Sequence, residues 1–146
     1  MEKTNLSVGF ADLTHYAKLM DAVGAEKAIE ILQDAFKFAG DIIVKHNGKI
    51  RKYIGDAVLF TFNDPKQAIS AAKEIAGGYK KDIESLTVQF SISIATGEVF
   101  FCKIGHPSYT VEDIIGTTVN TAGKLMKEAT HSEPKIALCN ETKKYI

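Results

Sequence analysis

Two aspartates, Asp12 and Asp56, are the residues of this sequence with the most chemistry to offer. Asp12 follows the apolar stretch Asn5–Ala11 (NLSVGFA), which reads as a strand, and stands directly ahead of a helical pattern. Asp56 lies in the Ile54-Gly55-Asp56-Ala57 turn of RKYIGDAVLFTF, whose short alternating arms read as a β-hairpin. If that hairpin pairs beside the first strand, the two carboxylates meet at one edge of a sheet. Hard oxygen ligands with room left for water and phosphate oxygens are what Mg²⁺ or Mn²⁺ takes in phosphoryl-transfer sites. A two-metal arrangement there can activate an attacking oxygen and stabilise a leaving phosphate. A helix beginning near Leu13 and Thr14 would point free N–H groups at the same place, which suits a triphosphate. Each aspartate alone has a plainer reading, Asp12 as a helix cap and Asp56 as a turn former.

The elements that would have to position this pair follow from periodicity. Thr14 to about His46 repeats apolar residues at helical spacing, with a break near Gly24 and an Asn47-Gly48 stop. Lys49–Tyr53 and Ala57–Phe62 form the hairpin arms, and Asn63-Asp64-Pro65 opens a helix running to about Tyr79. Val88–Thr96 alternates as a half-buried strand, and Gly97-Glu98 is expected to turn it into Val99–Ile104. Gly105–Glu112 then reads as a loop, Ile114–Glu128 as a helix, Lys135–Leu138 as a last strand, and Asn140 as the cap of a short helix. The order β, long α, β-β, α, β-β, α, β predicts an α+β fold, a mostly antiparallel ferredoxin-like or palm-type sheet with helices packed on one side.

With 146 residues, 45% hydrophobic and 25% charged, the chain reads as one soluble domain. Acids and bases balance at 18 each, so there is no field to gather nucleic acid or anionic lipid. The start of the chain, MEKTNLSVGFADL, lacks a signal-peptide core, no apolar run is long enough to insert in a membrane, and Cys102 and Cys139 have no metal spacing. A reduced, cytoplasmic setting is the expectation.

FADLTHYAKL, HNGKIRKYIGDAVLFTF, SIATGEVFFCKIG and EDIIGTTVNTAGKL resemble, in order and spacing, the class III adenylate/guanylate cyclase catalytic domain. The resemblance runs from about Ser7 to Cys139, strongest in the K-x-x-G-D hairpin and the G-x-x-V-N helix start. It implies the class III nucleotidyl cyclase fold over residues 1–146, with Asp12 and Asp56 as ligands of two Mg²⁺ or Mn²⁺ ions. It places Lys52 and Asp113 on the base, Asn120 on the ribose, and Lys124 where active members usually have an arginine on the phosphates. Leu13, Thr14, His15 and Tyr16 fall on the phosphate-facing loop. Lys52 offers only donors and ionised Asp113 only acceptors, which complements adenine N1 and N6 and mismatches guanine. The resemblance therefore implies ATP as substrate, cyclic AMP and pyrophosphate as products, and a head-to-tail homodimer in which each site takes its aspartates from one chain and its base, ribose and phosphate contacts from the other.

Four features depart from the family pattern. Lys124 replaces arginine and loses its planar fork. His15 stands where a glycine is usual, Thr117 where an aspartate is usual, and the chain stops at Ile146, where members continue into a hairpin that supplies a further phosphate-binding lysine. A second reading therefore stands beside the enzyme: a cyclase-like module of low or no activity that binds nucleotide and dimerises. A diguanylate cyclase or polymerase-type palm fits poorly, since no GG[DE]EF-like hairpin is present.

Overall fold

The computed structural model describes Met1–Ile146. Strand β1 (Glu2–Leu13) forms because its alternate residues serve two cores: Leu6 and Val8 face one way, Ala11 and Leu13 the other. It lies mid-sheet, paired antiparallel with β3 (Ala57–Phe62) on one side and β5 (Leu86–His106) on the other. With β2 (Lys49–Ile54) and β4 (Lys80–Ile83) at the ends, the strand order is β2-β3-β1-β5-β4. Strands β6 (Tyr109–Ile115) and β7 (Ile136–Leu138) also pair with β5, and only β7 is parallel to it.

Helices α1 (Tyr16–Val23), α2 (Ala25–Lys45) and α3 (Pro65–Gly78) bury Leu19, Ile31, Ile42, Ile43 and Ile75 against Phe60, Phe90, Ile92 and Ile94. Gly24 (φ 89°) makes the expected break between α1 and α2. Asp64 caps α3, accepting from the Lys66 N–H at 2.9 Å, with Pro65 in the first turn. Helix α4 (Thr117–Thr130) packs Ala122 against Leu6, Val8, Leu59 and Ala95. These residues alternate along their strands with the residues of the first core, so helices cover both faces of the sheet rather than the one expected. Helix α5 (Asn140–Lys143) closes the chain; its cap is Cys139 and not Asn140.

The second hairpin differs most from expectation. Gly97-Glu98 does not turn; β5 runs through it unbroken to His106. Gly97 is needed for another reason: a Cβ there would sit 2.6 Å from Thr118 Oγ1, and that hydroxyl donates to the Glu98 carbonyl at 2.8 Å. The absent side chain lets the first turn of α4 seat on the strand. The chain reverses instead at Pro107-Ser108, and most of Gly105–Glu112, expected to be a loop, forms β5–β6 pairing. Ile114 and Ile115 belong to β6, so α4 starts at Thr117, after Gly116.

Candidate active site

The sheet brings the aspartates together as expected. Asp12 is opposite Ala57 in the β1–β3 ladder, one residue from Asp56 in the turn. That turn is permitted by Gly55 at φ 58° and is tied to β1 by the Leu13 N–H, which donates to the Asp56 carbonyl at 3.3 Å. With both carboxyls ionised, Asp12 Oδ1 is buried and has no hydrogen-bond partner. A proton on Asp12 lets it bond to Asp56. Burial first, then that hydrogen bond and the Asp56 charge, push the Asp12 carboxyl up from 3.8 to about 7. Burial and the same Asp56 charge raise the Tyr16 hydroxyl, which marks that side chain as a neighbour of the pair.

The segment after Asp12 is held by backbone bonds. Thr14 N–H donates to the Gln89 carbonyl at 2.8 Å, and Thr14 Oγ1 accepts from Gln89 N–H at 3.2 Å. Because Leu13 and Thr14 spend their amides this way, the free N–H groups of the helix end begin at Tyr16, later than the sequence predicts. His15 adopts the left-handed conformation, φ 60° and ψ 22°, as the cap of α1. Its Nδ1 donates to the Thr87 carbonyl at 3.0 Å, which draws the ring toward the β4–β5 end.

Beside Asp12 opens a polar cleft of about 450 Å³ lined by Leu13, Thr14, His15, Gln89, Ser91, Thr130, His131 and Lys135. Sequence reasoning missed Gln89, Ser91, Thr130, His131 and Lys135, which come to this place only through the β1–β5 ladder and the α4–β7 connection. The one usable signal was polar residues at alternate positions of an otherwise apolar strand, Gln89 and Ser91 between Val88, Phe90 and Ile92. Lys135 is the cleft's lysine, its ammonium donating to the Thr130 carbonyl at 2.8 Å.

A second cluster is assembled elsewhere on the chain. Lys52 Nζ, on β2, donates to Asp113 Oδ1, on β6, at 2.7 Å, in a small cleft with Ile50, Arg51, Phe101, Glu112 and Ile114. Burial works to raise the Asp113 carboxyl, but the Lys52 ammonium and the Ile114 N–H outweigh it and hold the group below its ordinary value. Asn120 and Lys124 stand one turn apart on the exposed face of α4, away from the residues it packs on the sheet. None of Lys52, Asp113, Asn120 or Lys124 lines the cleft at Asp12. The structure thus joins the predicted residues into an aspartate group and a lysine–aspartate pair, with the α4 residues on a free surface.

The model of the adenylate and guanylate cyclase catalytic domain matches residues 1–146. The chain belongs to that family, and its site residues sit on the frame of a nucleotidyl cyclase catalytic domain. Among solved structures it resembles the adenylyl cyclase CyaB from P. aeruginosa, with 25% identity, a TM-score of 0.76, and coverage of 100% of this chain and 83% of that one. The guanylate cyclase domain of RhGC from Catenaria anguillulae, solved in complex with GTP, shares the fold at a TM-score of 0.83 with 19% identity, over 100% and 84% of the two chains. An uncharacterized protein of Mycobacterium tuberculosis is 25% identical over 148 residues, 97% of this chain. The chain spans only 27% of that relative's length, about a quarter. No helix is long and apolar enough to cross a membrane.

Proposed function

We propose that this domain is a metal-dependent adenylate cyclase that converts ATP to 3′,5′-cyclic AMP and pyrophosphate in a head-to-tail homodimer. One observation carries the reading: Lys52 and Asp113 form an ion pair of 2.7 Å on a part of the chain that shares no cleft with Asp12. A donor-only and an acceptor-only group, held side by side, match the adenine edge. Their separation from the aspartates leaves each chain with two half-sites, which two-fold pairing joins into two composite sites. Exposed Tyr53, Ile54, Tyr109, Val111 and Ile115 on the hairpins that carry or flank these groups support such a pairing surface.

Asp12 and Asp56 fit the divalent ions that cyclases of this family use. Two hard carboxylates meet, and a buried oxygen of Asp12 has no hydrogen-bond partner. Mg²⁺ or Mn²⁺ held there would supply Lewis-acid activation of the ribose 3′-hydroxyl and charge for the departing pyrophosphate. The chain's own residues do the rest. Lys52 and Asp113 hold the adenine, and Asn120 orients the ribose. Lys124 and, from the Asp12 side, Lys135 and the first amides of α1 bear on the phosphates. The 3′-oxygen bonds to the α-phosphorus, the bond to the bridging pyrophosphate oxygen breaks in line, and the hydroxyl proton passes to water.

The test is cyclic AMP formation from ATP and Mn²⁺ over a range of protein concentrations, with GTP and Asp56→Ala beside it. The reading requires product from ATP, a rate per chain that rises with concentration as dimers form, and loss of product in Asp56→Ala. Turnover of GTP in preference to ATP would refute the assignment of Lys52 and Asp113. Lys124 in the arginine position favours the second reading, a domain that binds nucleotide and dimerises without turnover. A folded dimer that binds ATP and makes no cyclic AMP would establish it.

A further inference from the structure

Ser91 lies directly opposite Asp12 in the β1–β5 ladder and lines the same cleft. It is 1% exposed, and its hydroxyl has no hydrogen-bond partner. Asp12 Oδ1 and Ser91 Oγ are the only buried side-chain oxygens or nitrogens left unpartnered in the molecule, and they belong to cross-strand neighbours. Directly opposed residues on one sheet face hold their Cβ atoms about 4.5–5.5 Å apart. Nothing else in the fold uses the Ser91 hydroxyl. Its neighbour Ser93, by contrast, donates to the Ala122 carbonyl at 2.7 Å and is satisfied by packing. A buried donor and a buried acceptor that both lack partners, on cross-strand neighbours, call for an explanation.

We propose that Ser91 is a positioning residue for the cation site, donating, directly or through one ordered water, to the Asp12 carboxylate when a divalent ion draws the other oxygen of that carboxylate. The idea rests on the reading of Asp12 and Asp56 as metal ligands. Groups that orient a ligating carboxylate in this way typically change metal affinity about 10–100-fold when removed. Ser91→Ala deletes only the hydroxyl and leaves the packing of β5 intact.

The experiment is a Mn²⁺ titration of the nucleotide-free protein followed by electron paramagnetic resonance. Wild type, Ser91→Ala, Ser91→Thr and Asp12→Asn are compared, and the melting temperature of each is taken in EDTA. Ser91→Ala should bind Mn²⁺ about tenfold more weakly. Its metal-free melting temperature should equal or exceed that of wild type, and Ser91→Thr should restore affinity. Unchanged Mn²⁺ affinity in Ser91→Ala, with Asp12→Asn abolishing binding, overturns this inference and leaves the cation site standing. Weaker binding accompanied by a lower metal-free melting temperature shows a structural hydroxyl and overturns it too. A wild-type protein that binds no Mn²⁺, or an Asp12→Asn variant that binds it as well, overturns the cation site together with this inference.

Discussion

Replacing Asp12 by Asn should stabilise the metal-free protein, and the gain should depend on pH. In the native chain the Asp12 carboxyl is raised from 3.8 to about 7, by burial first and by Asp56 second. Between those values the native state holds a proton that the unfolded chain has released. Stability therefore falls as pH rises across this window: the protonated group's contribution is complete below 3.8 and lost above about 7. At about 1.4 kcal/mol for each tenfold in proton affinity, the distance bounds the cost of the ionised group at about 4 kcal/mol. Relaxation of Asp56 and entry of water into the cleft lower this to about 1–3 kcal/mol. An amide carries no charge to desolvate, so Asp12→Asn should raise the melting temperature at pH 8 by about 3–10 °C. At pH 5 the gain should fall by about half or more. Thermal unfolding by circular dichroism in EDTA, at pH 5, 6, 7 and 8, measures this. Saturating Mn²⁺ should then stabilise wild type at pH 8 and leave the variant unmoved. A variant no more stable than wild type at pH 8, or a gain that is the same at every pH, would refute the reasoning.

Three further outcomes follow from the same geometry. Lys52→Met removes the charged partner of Asp113 and should lower kcat/KM for ATP by about 10–100-fold, the cost of a charge-assisted hydrogen bond. In an NMR titration the same change should move the Asp113 carboxyl upward toward its ordinary value. Lys124→Arg restores a planar fork on the phosphates and should raise kcat about fivefold with little change in KM, in steady-state assays with Mn²⁺. Gly97→Ala places a methyl 2.6 Å from Thr118 Oγ1, so either that side chain must turn away from the Glu98 carbonyl or α4 must shift. It should cost about 1–3 kcal/mol in urea unfolding, and Thr118→Ala in the same chain should recover part of the loss.

What could be read from the sequence was whatever is encoded locally. The YIGDAV turn announced itself through Gly55 and two alternating arms, and Asp64-Pro65 marked the start of α3, because hairpins and caps are short-range structures. Gly97 misled for a physical reason: a glycine needed for close packing by Thr118 carries the same letter as one needed for a turn. Strand β6 escaped because Tyr109, Val111 and Ile115 are exposed and Ile114 alone is buried, so no alternation between core and solvent marks it. That Lys52 and Asp113 would serve one base was expected from resemblance; the ion pair between them was not, and the pairing of β6 on β5 brings it within reach. Nothing local told where Ser91 and Lys135 would lie. Their place beside Asp12 is a property of the strand order, which joins residues distant in the chain.

The measurement that bears most directly on the central claim mixes two variants that should each be inactive, Asp56→Ala and Asn120→Ala, and follows cyclic AMP made from ATP and Mn²⁺. In a mixed head-to-tail dimer, the Asp12–Asp56 pair of the Asn120→Ala chain faces the intact Lys52, Asp113 and Asn120 of its partner, and one site in two is whole. Random exchange of subunits should restore about a quarter of wild-type activity. A mixture as inactive as its components, beside an active wild type, would contradict sites shared between chains. An inactive wild type would contradict the cyclase assignment itself.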